Sequence, residues 1–220
     1  MTYFRDLYKH KGMRRALVQK IKAKGIQDPQ VLEAVETVPR HAFLDNAFQE
    51  HAYQDKAFQI GEGQTISQPY TVAFQTELLR VQSGDRILEI GTGSGYQCSI
   101  LVALGATVYS IEYNLVLHQR AKLLLRQLGY SATLLHGDGS QGVPLYAPYD
   151  GIIVTAGAPT VPQALIDQLK PGGRLIIPVG NRKQQEMLLL TKHEDGKVSQ
   201  KSYDCFSFVP LLGKDGWQRR

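Results

Sequence analysis

Three carboxylates in this 220-residue chain close short apolar runs: Glu89 in "LEIGTGSGYQ", Glu112 at the end of "TVYSIE", and Asp138 in "HGDG". An acid at a strand end can accept from both hydroxyls of a ribose or face an amine, and glycines at 91, 93 and 95 let backbone come close to a ligand. That is nucleoside-binding chemistry. Ahead of it lies "GQTISQPY", Gly63 to Tyr70, with two hydroxyls and two amides but no carboxylate, histidine or cysteine. Such a run can orient a reactant, yet it offers nothing to take a proton from one.

The spacing narrows the ligand. A dinucleotide fingerprint, G-x-G-x-x-G, needs its last glycine at position 96, where this chain has Tyr96. Glu89, two residues before Gly91, would repel a pyrophosphate and favour a cationic ligand. S-adenosylmethionine carries an ammonium and a sulfonium and no phosphate. On this reading Gly91 and Gly93 form the close turn, Glu112 accepts from the ribose, and Asp138 with the Gly139 amide meets adenine. Gln64 and Thr65 satisfy further cofactor groups. Plainer roles exist beside these: Glu112 can cap the next helix and Asp138 can hold a turn. Ser67 has two readings open, a hydrogen bond to an anionic acceptor or an N-cap for the helix that "QPY" begins. Tyr70 reads as core packing, and Asp150 as a structural hydrogen-bonding residue.

Elements must hold these residues together. Two helices are expected first, over 3–24 and 29–38, the second introduced by Asp28 and Pro29, followed by an irregular stretch to about Ser67. A helix then runs from Gln68 to about Val81. Short, near-continuous apolar runs at 86–91, 107–112, 132–137, 150–156 and 173–180 alternate with helical segments near 95–104, 114–128 and 161–170. That alternation predicts a doubly wound, Rossmann-like α/β fold with a mostly parallel sheet covered on both faces. "QEMLLLTKHEDGKV" and "YDCFSFVPLL" read as two further strands, turning at "EDG", that close the sheet with an antiparallel edge. One domain spanning 1–220 is expected, with a helical extension and loop over 1–67 and the core over 68–220.

Composition excludes several classes. Hydrophobic residues make up 43% and charged residues 20%, which argues against disorder, and the charged N-terminus and strand-sized apolar runs read as a cytoplasmic protein without a membrane partner. Cys98 and Cys205 have no metal-type spacing and read as buried thiols. The six histidines never fall three or four residues apart, so no metal is expected. Residues 1–25 hold eight Lys/Arg and one Asp, but Met13, Leu17, Val18 and Ile21 at helical spacing make this an amphipathic helix with a solvated basic face rather than a nucleic-acid partner site.

"GQTISQPY", "LEIGTGSGYQ", "GDG", "VPQALIDQLKPGGRLIIPVG" and "FVPLLG", in order from about Val38 to Trp217, closely resemble the protein-L-isoaspartate O-methyltransferase family. The glycine turn is common to many methyltransferases, whereas "TISQP" and the long "PQALIDQLKPGGRLIIPVG" run are far more specific. The resemblance implies an S-adenosylmethionine-dependent methyltransferase fold and transfer of a methyl group to the free α-carboxylate of L-isoaspartyl residues in damaged proteins and peptides, with S-adenosylhomocysteine as product. The ester then collapses to a succinimide that partly reopens as aspartate. It further implies that Ser67 lies beside the substrate carboxylate, that Thr65 and its neighbours lie over the cofactor, and that Glu89, Gly91, Glu112, Asp138 and Gly139 touch it. A monomer is expected. Tyr70 stands where many members have histidine, and Leu212 where threonine is common. Competing readings are an RNA or small-molecule methyltransferase, disfavoured by "TAGAP" in place of an "NPPY"-like loop, a non-catalytic RNA-binding module, and a nicotinamide dehydrogenase.

Overall fold

The computed structural model describes residues 6–218. Residues 3–5 of the first expected helix lie outside them, and helix α1 runs Tyr8–Ala23. It buries Leu17, Val18 and Ile21 on one face, as the spacing predicts, and leaves Lys20 and Lys22 in solvent. Helix α2, Pro29–Thr37, starts as read: Asp28 Oδ1 accepts from the amides of Gln30 and Val31, with Pro29 in the first turn.

The stretch expected to be irregular contains structure. After two short 3-10 turns, strands β1, Phe58–Gly61, and β2, Gln64–Ile66, pair as an antiparallel hairpin. Glu62 and Gly63 form its tip, both with positive φ, +53° and +68°, the backbone that a tight hairpin turn demands. Strands this short show too few alternations to be read from sequence. Helix α3, Pro69–Leu79, follows at once.

The main sheet has seven strands in the order β5-β4-β3-β6-β7-β8-β9. Strands β3 (Arg86–Ile90), β4 (Thr107–Glu112), β5 (Thr133–His136), β6 (Tyr149–Val154) and β7 (Leu169–Gly180) pair in parallel. Strands β8 (Gln185–Lys192) and β9 (Val198–Phe206) are antiparallel, and the turn between them falls at the expected "EDG". Helices α4 (Tyr96–Ala103) and α5 (Leu115–Leu128) link the first three parallel strands. Helix α6 is only Gln163–Asp167, shorter than the expected 161–170, because β7 begins at Leu169.

Alternation along the strands sends neighbours to two different cores. Ile87, Val108, Ile153 and Ile176 join one that also takes Leu17, Val35, Val72, Ile100 and Leu125 from helices α1 to α5. Leu88, Tyr109, Ile152 and Leu175 join the other, under α6 and Leu211.

One strand expectation is corrected. Residues 203–212 do not continue β9 to its end; β9 stops at Phe206, and the chain leaves the edge to run back over the strand ends. The amide of Gly157 donates to Val209 O at 2.8 Å and that of Leu211 to Gly157 O at 2.8 Å, so these residues exchange the edge for a place above the loop after β6.

Candidate active site

Strand order reverses between β3 and β6, both of which start crossovers in opposite directions, and this is where a crevice opens at the carboxyl ends of a parallel sheet. The turn after β3 builds one wall. Gly91 has φ +96°, and a Cβ there would lie 2.5 Å from Thr155 Oγ1, so only glycine fits. The Thr155 hydroxyl donates to the Gly91 carbonyl at 2.6 Å and thereby ties the turn to the end of β6. The Gly93 amide donates to Glu112 Oε2 at 2.8 Å, while Glu112 Oε1 accepts from the Asn114 amide at 2.8 Å. Glu112 thus fixes the glycine turn and the entry to α5 together, and still faces the crevice with its remaining lone pairs. Gly139 closes the floor, where a Cβ would meet Ile90 Cγ2 at 2.5 Å.

The resulting cleft encloses about 1090 Å³, part of it open to solvent, and the β1-β2 hairpin leans over it. Glu62 at the hairpin tip accepts from Asn114 Nδ2 at 3.2 Å across the opening. Among the described residues that line the cleft there are two carboxylates, Glu62 and Glu112, and no lysine, arginine or histidine. A pyrophosphate would find no counter-charge there, whereas a nucleoside bearing a sulfonium and an ammonium finds acceptors. The donor set fits S-adenosylmethionine: Glu112 for the ribose, Gly91 and Gly93 backbone at close approach, Gly139 at the floor, and Gln64 and Thr65 overhead.

Of the residues singled out in the sequence, Gln64, Thr65, Ser67, Gly91, Gly93, Glu112 and Gly139 meet in this cleft. Two do not line it. Glu89 points beneath the floor, 0% exposed, with its Oε2 accepting from Ser110 Oγ at 2.5 Å. Burial pushes its pKa up to about 8, only partly opposed by the Ser110 hydrogen bond and reinforced by the nearby Glu112 charge. It sits under the turn on the same face of β3 as Ile87, with its protonated form favoured by burial. Asp138 is turned to the C-terminal segment instead: Oδ1 accepts from the Ser140 amide at 2.9 Å and its hydroxyl at 2.7 Å, and Oδ2 from the Lys214 amide at 2.7 Å. The plainer turn-holding reading describes it, and Gly139 alone of the "GDG" run reaches the cleft.

Thr155, Tyr113 and Val209 to Leu211 also wall the cleft, although none of them was singled out as a site residue in the sequence. Thr155 follows a strand in "TAGAP" without any charged neighbour, so its only signal was its place at a strand end. Leu212 lines the cleft despite departing from the expected threonine.

A second cavity abuts the first. Its walls include Lys24, Tyr70, Lys183, Phe206 and Phe208, and it shares Thr65, Ser67, Thr155 and Val209 with the cleft. Ser67 therefore stands where the two spaces meet. It does not cap α3: the N-cap is Gln68, and no side chain of the cap position closes the helix. Among the described residues no hydrogen bond engages the Ser67 hydroxyl. Tyr70, half-buried, stacks on Phe74 at 5.9 Å as expected of a packing residue, but its other side borders the groove. Cys205, expected to be buried, is exposed on that groove, whereas Cys98 is buried against Glu89 and its pKa is raised by burial and then by that carboxyl.

Away from both cavities, Asp6, His10 and His41 come together, a grouping that spacing in sequence could not reveal. Arg14 takes both Asp6 oxygens at 2.8 and 2.7 Å, and its hydrogen bonds hold that carboxyl below the usual range. The cluster is a latch between α1 and the segment after α2. Asp150 is structural as read, accepting from the Arg86 amide at 2.8 Å and Lys170 Nζ at 2.6 Å.

Comparison with known proteins agrees with this geometry. The family model described as protein-L-isoaspartate(D-aspartate) O-methyltransferase matches residues 12–216. A curated protein-L-isoaspartate O-methyltransferase of Cytophaga hutchinsonii is 58% identical over 98% of this chain and 97% of its own length. One of Flavobacterium psychrophilum is 54% identical over 94% and 98%. A solved protein-L-isoaspartate O-methyltransferase structure superposes with a TM-score of 0.82 at 31% identity, covering 92% of this chain and 66% of that one. With a family model over most of its length and relatives more than half identical from end to end, the chain belongs to the protein-L-isoaspartate(D-aspartate) O-methyltransferase family.

Proposed function

We propose that the chain is a repair enzyme that moves the methyl group of S-adenosylmethionine to the free α-carboxylate of L-isoaspartyl residues in damaged proteins and peptides, with Ser67 orienting that carboxylate. The observation that carries the assignment of roles is the position of Ser67. Its unengaged hydroxyl lies between a cleft with no cationic side chain among its described lining residues and a groove lined by Lys183, by Lys24, which is paired with Asp55, and by Asp204. A cationic cofactor suits the first space, and Lys183 lets the second take an anionic acceptor beside the hydroxyl, at the border the two spaces share.

When bound, S-adenosylmethionine supplies an electrophilic methyl on a sulfonium and leaves as S-adenosylhomocysteine. The acceptor carboxylate, with an ordinary pKa of about 4, is already ionised, so no residue of the chain has to take a proton. Ser67 can donate one hydrogen bond to an oxygen of that carboxylate and hold it in line without neutralising it, as a lysine would. Thr155 keeps the Gly91 turn at the shared border, and Val209 and Leu211, tied to Gly157, keep water from that side. Gln64, Thr65, Gly91, Gly93, Glu112 and Gly139 hold the cofactor. Glu89 and Asp138 act from behind it.

The acceptor is protein rather than nucleic acid. The basic face of α1 is spent in part on the fold, Lys9 reaching Glu50, Arg15 Glu36 and Lys24 Asp55. No helix among the described residues is long and apolar enough to cross a membrane. Both thiols are free, which suits a reducing compartment such as the cytoplasm, and a monomer is the proposed state.

The test is transfer of labelled methyl to a peptide with one isoaspartyl residue, against its aspartyl twin. Ser67→Ala should lower kcat by about ten- to a thousand-fold while changing the affinity for S-adenosylhomocysteine little. Methylation of the aspartyl twin at the same rate would overturn the substrate assignment. Equal loss of turnover and cofactor affinity would remove Ser67 from its role.

A further inference from the structure

Asp55 lies on the segment that leads into β1, outside both the glycine turn and "GQTISQPY", and its side chain is 2% exposed. Its carboxylate gathers three donors. Oδ2 accepts from Lys24 Nζ at 2.5 Å and from Gln68 Nε2 at 3.0 Å, and Oδ1 accepts from the Tyr70 amide at 2.8 Å. Burial alone would raise its pKa, but Lys24 and the two other donors outweigh burial and leave it below the ordinary value, so it is ionised.

These donors come from either side of Pro69. Helix α3 has no side-chain cap of its own, and Pro69 at its first position has no N–H to satisfy. The next amide, Tyr70 N, is satisfied by Asp55 from 15 residues upstream. The Gln68 side chain is pulled to the same carboxylate, so the backbone on both flanks of Pro69 hangs from one anchored group. Ser67 is the residue immediately before this clamp. Its own side chain makes no hydrogen bond within the described residues, so the position of its backbone sets where the hydroxyl can reach.

We propose that Asp55, with Lys24 as its counter-ion, is a positioning residue that sets the Ser67 hydroxyl at the border between the cleft and the groove. The inference rests on the reading of Ser67 given above. A carboxylate is required because three N–H donors converge on its two oxygens; an asparagine of the same shape presents one oxygen, and its NH2 would face a donor. Lys24 in turn spans from the end of α1 and also packs its ammonium over the Tyr70 ring at 5.4 Å, which couples the helical extension to the substrate loop.

The experiment is a double-mutant cycle on the full chain with Asp55→Asn and Ser67→Ala, singly and together. It reads kcat and KM for an isoaspartyl peptide, the Kd for S-adenosylhomocysteine, and the thermal midpoint. In the presence of the hydroxyl, Asp55→Asn should lower kcat/KM by about ten- to a hundred-fold, as a displacement near 1 Å would. In the Ser67→Ala background the same substitution should cost less than about two-fold, because no hydroxyl is left to misplace. The Kd for S-adenosylhomocysteine should stay within about two-fold throughout. A group that only stabilises the fold would lower activity alike in both backgrounds, and that additive outcome overturns the proposal. So does full activity of Asp55→Asn while Ser67→Ala is impaired. If Ser67→Ala itself is without effect, the reading of Ser67 falls first, and the proposal falls with it. Should Asp55→Asn fail to fold, Gln68→Met run through the same cycle decides, since it removes one bond of the clamp and leaves the Tyr70 amide capped; additivity there overturns the proposal equally.

Discussion

A hydroxyl without a partner and an acid without a charge are the two informative side chains of this site. Ser67 is accessible and unengaged at the border of two cavities, where a capping serine would be occupied. Glu89 is the reverse: sealed under the glycine turn and held protonated near neutrality by burial. Its pKa rises from the 4.5 of an exposed glutamate to about 8, so the folded state holds a proton there that the unfolded chain gives up. The stability it allows is complete below about pH 4.5 and is lost as pH climbs through 8. Replacing it by the neutral Glu89→Gln should remove that slope. Comparing the two proteins at each pH cancels the other carboxylates, and the variant should gain on the parent between pH 5 and 9 by a few kcal/mol in denaturant melts. Parallel curves across that range would show that Glu89 is ionised in the fold. The sequence made Glu89 a cofactor contact because an acid before a glycine turn suits a cation; it could not show which face of β3 the side chain takes, since the strand is buried on both and shows no alternation.

Whole elements were read better than their ends. Five parallel strands, their helices and the closing hairpin turn follow from apolar runs and breakers, because each run is long enough to carry a period. The β1-β2 hairpin and the departure of residues 207–212 from the sheet were not legible: the first is too short, and the second is decided by contacts with Gly157 rather than by local propensity. That returning segment supplies a cleft wall and is held by Asp138, whose carboxylate takes the Lys214 amide while Ser140 Oγ accepts from the Asp215 amide at 3.0 Å. Asp138→Ala should therefore weaken S-adenosylhomocysteine binding by about ten-fold through a loosened wall. The signature is faster hydrogen exchange at Lys214 and Asp215 in the unliganded protein. Weakened binding with exchange unchanged would instead return Asp138 to the adenine contact that the sequence suggested.

At the scale of the molecule, the helical extension is not an accessory. Leu17, Val18 and Ile21 of α1 are 2%, 5% and 0% exposed and belong to the same core as Ile87, Val108 and Ile153 of the sheet. Arg14, 4% exposed, binds Asp6, the Glu36 carbonyl and the Tyr53 hydroxyl, and Lys24 reaches Asp55. Burying three large apolar side chains is worth roughly 1.5–3 kcal/mol each, a sum comparable with the whole net stability of a domain, about 5–15 kcal/mol. We propose that a boundary near residue 67 marks a change of motif and not of folding unit. Calorimetry should accordingly give one transition, with calorimetric and van't Hoff enthalpies equal within error. A chain begun at Gly25 should show no cooperative melt and no binding of S-adenosylhomocysteine, because losing α1 and Lys24 strips the core and frees Asp55 of its counter-ion together. Two resolved transitions, or a truncated chain that still melts sharply with ligand-dependent stabilisation, would make the extension a separable part and leave the clamp on "SQP" to be carried by the core alone.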